Sequence, residues 1–293
     1  MAAMFRDGSE VIVMAFAVIA SPRTGSTHLS NLLHAQKEIF CNGEICHAKR
    51  LNLRWEKADQ SPGVISELTK LREQDSQEFL KRVFAMNYGC REVGFKILKG
   101  QSELVFEAIL RDHAIKKVVL FRRNVLANYS SKLIAAQSGE YALRAKAAAD
   151  PVEAVNSVVP FDEHEFIRFS RKYNRYYDGV MSKLRGSAQY YHLINYEDIN
   201  EREFFGNLLQ FLGTETSEAA SKGRTVKQNP AYILSRFSNP DIVENFLRRR
   251  NLMHWAYEGE LFLGPLRDAP PGRTKARKSS RNKASQATGS AAA

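Results

Sequence analysis

The chain has 293 residues, 44% of them hydrophobic, and a formal net charge of +11. That length and apolar content suffice for one large α/β domain with a sizeable core. The longest apolar run, residues 11–20, is about half as long as a bilayer span and precedes no small-residue cleavage site. We therefore expect no membrane span and no export signal, and a cytoplasmic protein. Three cysteines in such a chain predict free thiols and exclude a disulfide framework.

The positive charge is distributed unevenly along the chain. Residues 267–293 hold seven basic residues and one acid, which leaves a net charge of +5 for residues 1–266. The final segment is rich in Pro, Gly, Ser, Ala and Lys without apolar periodicity, so it is predicted to be a disordered basic tail after a single domain over residues 1–266. The tail is interpreted as a solubilising appendage or as a non-specific attraction for nucleic acid or anionic lipid. No specific nucleic-acid partner is expected.

Short apolar runs alternate with helical stretches, which is the pattern of a parallel sheet covered by helices. Strands are predicted at residues 11–20, 93–98, 118–121 and 190–196. Helices are predicted from near residue 28, from about 102, after 121 through 133, from near 162, and over 204–212. The predicted fold class is α/β, with a P-loop-like parallel sheet of about four to five strands flanked by helices.

The helix that opens near Asp162 has the clearest start signal. Its carboxylate can cap the helix, and Glu165 three residues later completes a capping box. The apolar stripe of this helix is predicted to lie in the core, and it comprises Phe166, Phe169, Tyr173, Tyr177 and Val180. Residues 138–160, just before the helix, fit no element and are interpreted as a lid or an acceptor-binding excursion.

The segment SPRTGST, residues 21–27, lies between the first predicted strand and the helix that follows it. Backbone N–H groups and the positive end of the helix dipole converge at such a junction, which suits a phosphate or sulfate. A glycine allows close approach of the backbone, hydroxyls add donors, and arginine adds a forked permanent charge. The candidate anion-binding residues are Arg23, Thr24, Gly25, Ser26 and Thr27.

This loop is not a Walker A sequence, because it has neither the second glycine nor the lysine before the final hydroxyl. No predicted strand ends in a clear magnesium-binding aspartate. Cys41, Cys46 and His47 match no standard zinc spacing. We therefore expect no metal.

Residues 22–27 read PRTGST, and this stretch resembles the phosphosulfate loop of the sulfotransferase superfamily, particularly the soluble bacterial-type carbohydrate and lipid sulfotransferases. The resemblance implies 3′-phosphoadenosine 5′-phosphosulfate (PAPS) as sulfuryl donor. It extends over roughly residues 11–250 and implies that Arg123 and Ser131, eight residues apart, bind the 3′-phosphate. Asn124 departs from the aspartate that the family often carries there.

Shorter matches imply three further roles. Lys96 resembles a lysine near the transferring group, and Tyr196 resembles the tyrosine beside the adenine. Lys227, within residues 225–230, resembles part of a late loop that closes over the nucleotide. The general base is assigned to Glu44, in a Gly-Glu pair as in relatives, with His47 as the second candidate.

The acceptor is expected to be a hydroxyl or amine of a carbohydrate, a lipid or another small molecule. Residues 47–88, with Trp55, Phe79 and Phe84, are interpreted as a lining for the acceptor pocket; Trp55 fits a core anchor equally well. Two other functions stay open: a P-loop-type phosphotransferase or kinase, and a non-catalytic module that binds an anion or nucleotide.

Overall fold

The computed structural model of the chain describes residues 2–4, 10–139, 158–215 and 229–258, all within one compact unit, Met1–Leu263. Strands of this described part are β1 (Ala2–Met4), β2 (Glu10–Ile12), β3 (Met14–Ala20), β4 (Ile39–Cys41), β5 (Glu92–Leu98), β6 (Ile115–Phe121) and β7 (Tyr191–Asn195). Its α-helices are α1 (Ser26–His34), α2 (Pro62–Gln74), α3 (Ser76–Ala85), α4 (Glu103–Arg111), α5 (Val125–Ser138), α6 (Glu163–Gly186), α7 (Arg202–Leu212) and α8 (Pro240–Arg249). Most of segment 138–160 and the whole predicted tail lie outside the described residues, so the domain boundary stays a prediction.

Strands β3 to β7 form one parallel sheet in the order β4-β5-β3-β6-β7, which confirms the predicted fold class. The central strand, β3, has its last five residues buried. The chain runs outward from β3 to β4, returns to β5, and then crosses to β6 on the other side of β3. Loops that follow β3, β5 and β6 therefore meet where the strand order reverses, which is where open parallel sheets bind ligands.

Helices cover both faces of this sheet, since successive buried residues of β3 belong alternately to two core clusters. Its residues Phe16, Val18 and Ala20 pack with α1 and α7. Residues Ala17 and Ile19 pack on the opposite face with α2, α3, α4 and α6. A third cluster joins α5, α6 and α8 through aromatic side chains. No helix of the described ranges has both the length and the apolar character of a membrane span.

One glycine is required by this packing. In the register of β3 and β5, Gly94 lies beside Phe16. A Cβ at Gly94 would stand 2.4 Å from the ring of Phe16, closer than real Cβ atoms approach a neighbour. The absent side chain thus makes room for the phenylalanine in the middle of the sheet.

The strands of the structure differ from the sequence-based prediction in several places. The predicted first strand, residues 11–20, is interrupted at Val13: β2 pairs antiparallel with β1, whereas β3 belongs to the main sheet. The edge strand β4 was not predicted, because its three residues give too short an apolar run. By contrast, α6 begins as predicted, with Asp162 Oδ1 accepting a 2.8 Å hydrogen bond from the Glu165 N–H.

Candidate active site

The loop of residues 21–27 connects β3 to α1 at the carboxyl edge of the sheet. Its shape is fixed from within, because the Thr24 hydroxyl is buried and donates a 2.7 Å hydrogen bond to the Ser21 carbonyl. Arg23 and Gly25 both adopt left-handed backbone conformations, with φ of 68° and 82°. Thr24 therefore shapes the loop through its side chain, and the loop turns sharply at the residues on either side of it.

Helix α1 begins at Ser26, two residues earlier than the sequence predicted, with Gly25 as its N-cap. Ser26 and Thr27 consequently lie in the first helical turn, where backbone N–H groups lack intrahelical acceptors. His28 is inside the helix, and its Nε2 lies 2.8 Å from Asn200 Oδ1. The unsatisfied amides, the helix dipole and the hydroxyls of Ser26 and Thr27 therefore lie together at the start of α1, and such a position favours the binding of an anion.

Lys96, near the end of β5, places a cation at this helix start. Its side chain is only 4% exposed, and its Nζ donates a 2.6 Å hydrogen bond to Thr27 Oγ1. The Nζ also lies 3.1 Å from Glu44 Oε1, whose partner oxygen accepts a 3.0 Å hydrogen bond from Gln101 Nε2. Burial lowers the pKa of Lys96, and the attraction of Glu44 opposes that shift. The structure therefore brings Lys96, Thr27 and Glu44 together and adds Gln101, which sequence reasoning missed.

His47 is held by different contacts. Its Nδ1 accepts a 3.2 Å hydrogen bond from the Lys49 N–H, and its carbonyl accepts one of 2.6 Å from Arg72 on α2. Those contacts attach His47 to α2 and its own turn. Of the two candidate bases, only Glu44 is in contact with the lysine at the loop.

The cysteines near this turn have the properties of buried core thiols. Burial raises the pKa of Cys41 and of Cys46 to about 12, so both thiols remain protonated. Across the described ranges, no group of three or more His, Cys, Asp or Glu side chains is arranged to hold a metal ion.

Ser131, on α5, contacts the first loop directly. It is buried, and its Oγ accepts a 3.0 Å hydrogen bond from Arg23 Nε and one of 3.3 Å from Asn229 Nδ2. The sequence paired Ser131 with Arg123 and did not predict these contacts. Lys227, assigned to the same late loop as Asn229, lies outside the described residues.

Arg123 follows β6 but is engaged by acids of the next strand end. Its Nη2 lies 2.5 Å from Asp198 Oδ2, and its backbone N–H donates a 3.2 Å hydrogen bond to Asn195 Oδ1. The Arg123 side chain is 30% exposed and the Asp198 side chain 20% exposed. Arg123 and Ser131 thus lie on the same edge of the sheet, each with a partner of its own.

Tyr196 packs on the glycine of the loop. A Cβ at Gly25 would stand 2.3 Å from Cδ2 of that ring, so only glycine allows this contact. The Arg122 guanidinium lies 4.4 Å from the centroid of the same ring, within cation–π range. The ring of Tyr196 therefore contacts both the loop of residues 21–27 and Arg122.

Arg122, Glu258 and Arg236 form what we call the buried ion triad, and their side chains are 6%, 3% and 0% exposed. Glu258 pairs with Arg122 and lies 3.2 Å from Arg236 Nη2. Burial, reinforced by repulsion from Arg122, lowers the pKa of Arg236 to about 9. Arg122 Nη1 in turn donates a 3.2 Å hydrogen bond to the Arg23 carbonyl. The triad therefore connects the late segment of the described chain to the loop of residues 21–27.

Two tyrosines of α6 hold the ends of the neighbouring strands. The Tyr177 hydroxyl accepts a 2.9 Å hydrogen bond from the Ser21 N–H and donates one of 2.7 Å to the Leu120 carbonyl. The Tyr173 hydroxyl accepts a 2.8 Å hydrogen bond from the Arg122 N–H. Burial raises the pKa of both phenols. Their predicted core location is confirmed, but their hydroxyls also fix the loop origins, which periodicity does not reveal.

The aromatic residues proposed to line an acceptor pocket lie elsewhere. Trp55, Phe79 and Phe84 are all buried in the core on one face of the sheet. The alternative interpretation of Trp55 as a core anchor is therefore the one the structure supports, and these three rings form no open surface.

Comparison with solved structures finds similarity to several sulfotransferases. The sulfotransferase domain of an olefin synthase from Synechococcus PCC 7002 is 14% identical, with a TM-score of 0.46 over 83% of this chain and 91% of that one. A sulfotransferase from Alicyclobacillus acidocaldarius is 16% identical, with a TM-score of 0.43 over 84% of this chain and 99% of that one. A mouse sulfotransferase complexed with PAP is 10% identical, with a TM-score of 0.37 over 71% and 61%.

No family model matches the chain, and no curated protein matches it. At TM-scores below 0.5, the structural likenesses do not by themselves assign an activity.

Proposed function

We propose that this chain is a sulfotransferase that uses PAPS and transfers its sulfuryl group to a hydroxyl or amine of an acceptor. The observation that carries the proposal is the position of Lys96, whose Nζ is 2.6 Å from Thr27 Oγ1 and 3.1 Å from Glu44 Oε1. The buried ammonium of Lys96 therefore contacts both the start of α1 and the Glu44 carboxylate. Positioning of the donor, stabilisation of developing charge and removal of the acceptor proton are the effects that would speed sulfuryl transfer.

The residues at this edge suit the donor nucleotide. Amides and hydroxyls of the loop, together with Arg23, would hold the 5′-phosphosulfate, since a helix start with positive charge favours anions. Arg123 and Ser131 are proposed for the 3′-phosphate on the resemblance in sequence, and Tyr196 for the adenine. PAPS supplies a sulfuryl group already activated by its bond to a phosphate leaving group.

The proposed reaction is an in-line displacement. The acceptor oxygen or nitrogen forms a bond to sulfur while the bond from sulfur to the bridging oxygen breaks, and the bridging electron pair leaves on adenosine 3′,5′-bisphosphate. Glu44 takes the acceptor proton, and for this it must exchange its hydrogen bond with Lys96 or Gln101. The ammonium of Lys96 then stabilises the charge that develops on the leaving oxygen.

A thermal-shift comparison tests the donor class. Adenosine 3′,5′-bisphosphate at about 100 times its dissociation constant should stabilise the protein by about 2.7 kcal/mol, which raises the melting temperature by roughly 5–10 °C. AMP, which lacks the 3′-phosphate, should shift it much less, and EDTA should change neither result. Transfer from labelled PAPS would then be measured against a panel of sugars, lipids and phenols.

The same experiment separates the two other functions. Stabilisation by ATP that requires magnesium, without a response to the bisphosphate, would contradict the sulfotransferase and favour a phosphotransferase. Bisphosphate binding without transfer to any acceptor of the panel would favour a non-catalytic binding module.

A further inference from the structure

Four exposed cations lie around the middle of α6, and we call them the basic patch: Lys99, Lys132, Lys172 and Arg175. Lys99 follows β5, Lys132 lies on α5, and the other two lie three residues apart on α6, which places them on one face of that helix. The patch therefore draws its charges from three different elements.

Direct contacts hold these side chains side by side. Lys99 Nζ donates a 2.7 Å hydrogen bond to the Lys172 carbonyl and lies 5.2 Å from the ring centroid of Tyr176. Lys132 Nζ lies 5.3 Å from the ring centroid of Phe169, one helical turn before Lys172. The aromatic faces thus support two ammonium groups whose charges stay at the surface.

The charge of the patch is left largely uncompensated. Within the described ranges, none of the four cations lies within ion-pair distance of a carboxylate; the acids at the start of α6, Glu163 and Glu165, pair with other arginines. Glu103 on α4 acts electrostatically on the Tyr176 phenol, which lies beneath Lys99. Burial lowers the pKa of Lys99, and repulsion from the other three cations adds to that shift.

The patch borders the candidate active site. The Lys99 N–H donates a 2.8 Å hydrogen bond to the carbonyl of Ala20, the residue before the phosphate loop. Lys99 is three residues from Lys96, and Lys132 directly follows Ser131. Lys99 therefore brings the patch to the start of the loop of residues 21–27.

Resting on the proposed function, we infer that the basic patch binds the anionic groups of an acidic oligosaccharide and that this oligosaccharide is the sulfuryl acceptor. Adjacent helical positions separate the charges by roughly 5–6 Å, which suits several anions in a row better than one compact ion. The acceptor must also present free hydroxyls or amines close to its anions. A uronic acid unit carries a carboxylate and free hydroxyls on the same ring, whereas the free hydroxyls of a phospholipid surface are confined to its headgroups.

Binding of a size-defined heparin hexasaccharide to the full chain tests this inference, with neutral maltohexaose as the comparison. In the patch variant, Lys99, Lys172 and Arg175 are replaced by glutamine. In the control variant, Lys37, Lys70 and Arg185 are replaced by glutamine; these cations are also exposed and have no ion pair within the described ranges, and none belongs to the patch. Both variants lose three charges and retain the basic C-terminal segment.

The patch variant should bind the acidic hexasaccharide about tenfold more weakly than the wild type, because each of the three lost exposed ion pairs contributes a fraction of a kcal/mol. The control variant should bind it nearly as well as the wild type, because its replaced cations lie outside the patch. The melting-temperature shift with adenosine 3′,5′-bisphosphate should persist in both. Equal losses in both variants would overturn the inference, because net charge alone would explain them. A wild-type protein that binds maltohexaose more tightly than the acidic hexasaccharide would also overturn the inference. Patch-dependent binding to phosphatidylglycerol vesicles or single-stranded DNA that is tighter than binding to the hexasaccharide would overturn it as well. Patch-dependent hexasaccharide binding without any bisphosphate shift would contradict the proposed donor and leave the anion site standing.

Discussion

Replacing Glu258 by glutamine tests whether the buried ion triad holds the loop of residues 21–27 in the shape that the proposed donor requires. The substitution leaves two nearly inaccessible guanidinium groups, Arg122 and Arg236, without their shared counter-charge. Removal of one partner of a buried ion pair costs about 3–5 kcal/mol. Because glutamine keeps the shape and one acceptor oxygen, we expect a loss near 3 kcal/mol, or a melting temperature lower by about 6–12 °C.

The variant should also bind adenosine 3′,5′-bisphosphate more weakly. Arg122 Nη1 donates to the carbonyl of Arg23, which itself has a left-handed backbone and reaches Ser131 with its side chain. Loss of one hydrogen bond from a charged group is worth about 1.5–3 kcal/mol, so affinity should fall about 10- to 100-fold. Isothermal titration calorimetry well below the melting transition measures this on folded protein.

A second buried ion pair provides the control. Glu92, at the start of β5, is 3% exposed and lies 2.8 Å from Lys116 Nζ. The Glu92→Gln variant should lose comparable stability while the bisphosphate affinity stays at the wild-type value, because this pair lies at the opposite end of the strands. Glu258→Gln protein that is destabilised but binds the bisphosphate as tightly as wild type would refute the role of the triad in holding the loop.

Three further predictions concern the site itself. Glu44→Gln should leave bisphosphate affinity unchanged and lower turnover of labelled PAPS by about two to four orders of magnitude; unchanged turnover would show that another group takes the proton. Arg123→Ala should weaken bisphosphate binding by about 1.5–3 kcal/mol and Ser131→Ala somewhat less, and both should reduce the preference over AMP; full discrimination in both variants would refute the 3′-phosphate assignment. Gly25→Ala should destabilise the protein by more than about 1–2 kcal/mol, the cost of a left-handed alanine, and should weaken bisphosphate binding. Gly139 has a φ of 72° and open space where a Cβ would lie, so Gly139→Ala should show the backbone cost alone in thermal melts.

The elements that the sequence predicted well are those whose signal is local. A long apolar run followed by the loop at residues 21–27 indicates a strand, a turn and a helix without reference to the rest of the chain. The three-residue strand β4 and the break at Val13 depend on pairing with distant strands, and so they escaped prediction. Lys96 and Glu44 were assigned from resemblance, and the structure adds that the two side chains touch.

The buried ion triad shows why other site residues could not be found in this way. Charged residues such as Arg236 and Glu258 usually indicate a solvated surface, and only tertiary packing buries them together. Their nearest sequence neighbours carry no motif that marks either one. The hydroxyl contacts of Tyr177 could not be predicted either, because burial in the core already explains an aromatic residue in an apolar stripe.

Exposure separates the acids of this site into two groups. Asp198 and Glu44, 20% and 23% exposed, pair with Arg123 and Lys96, the cations that the proposed function assigns to the nucleotide. Because both carboxylates reach solvent, a bound phosphate or sulfuryl group can replace them at modest cost. Glu258, at 3% exposure between two buried arginines, has no such freedom, since its removal would leave charges that water cannot reach. On the proposed function, the first group keeps the ligand-binding cations in place until the donor arrives, and Glu258 keeps the loop in shape throughout the cycle.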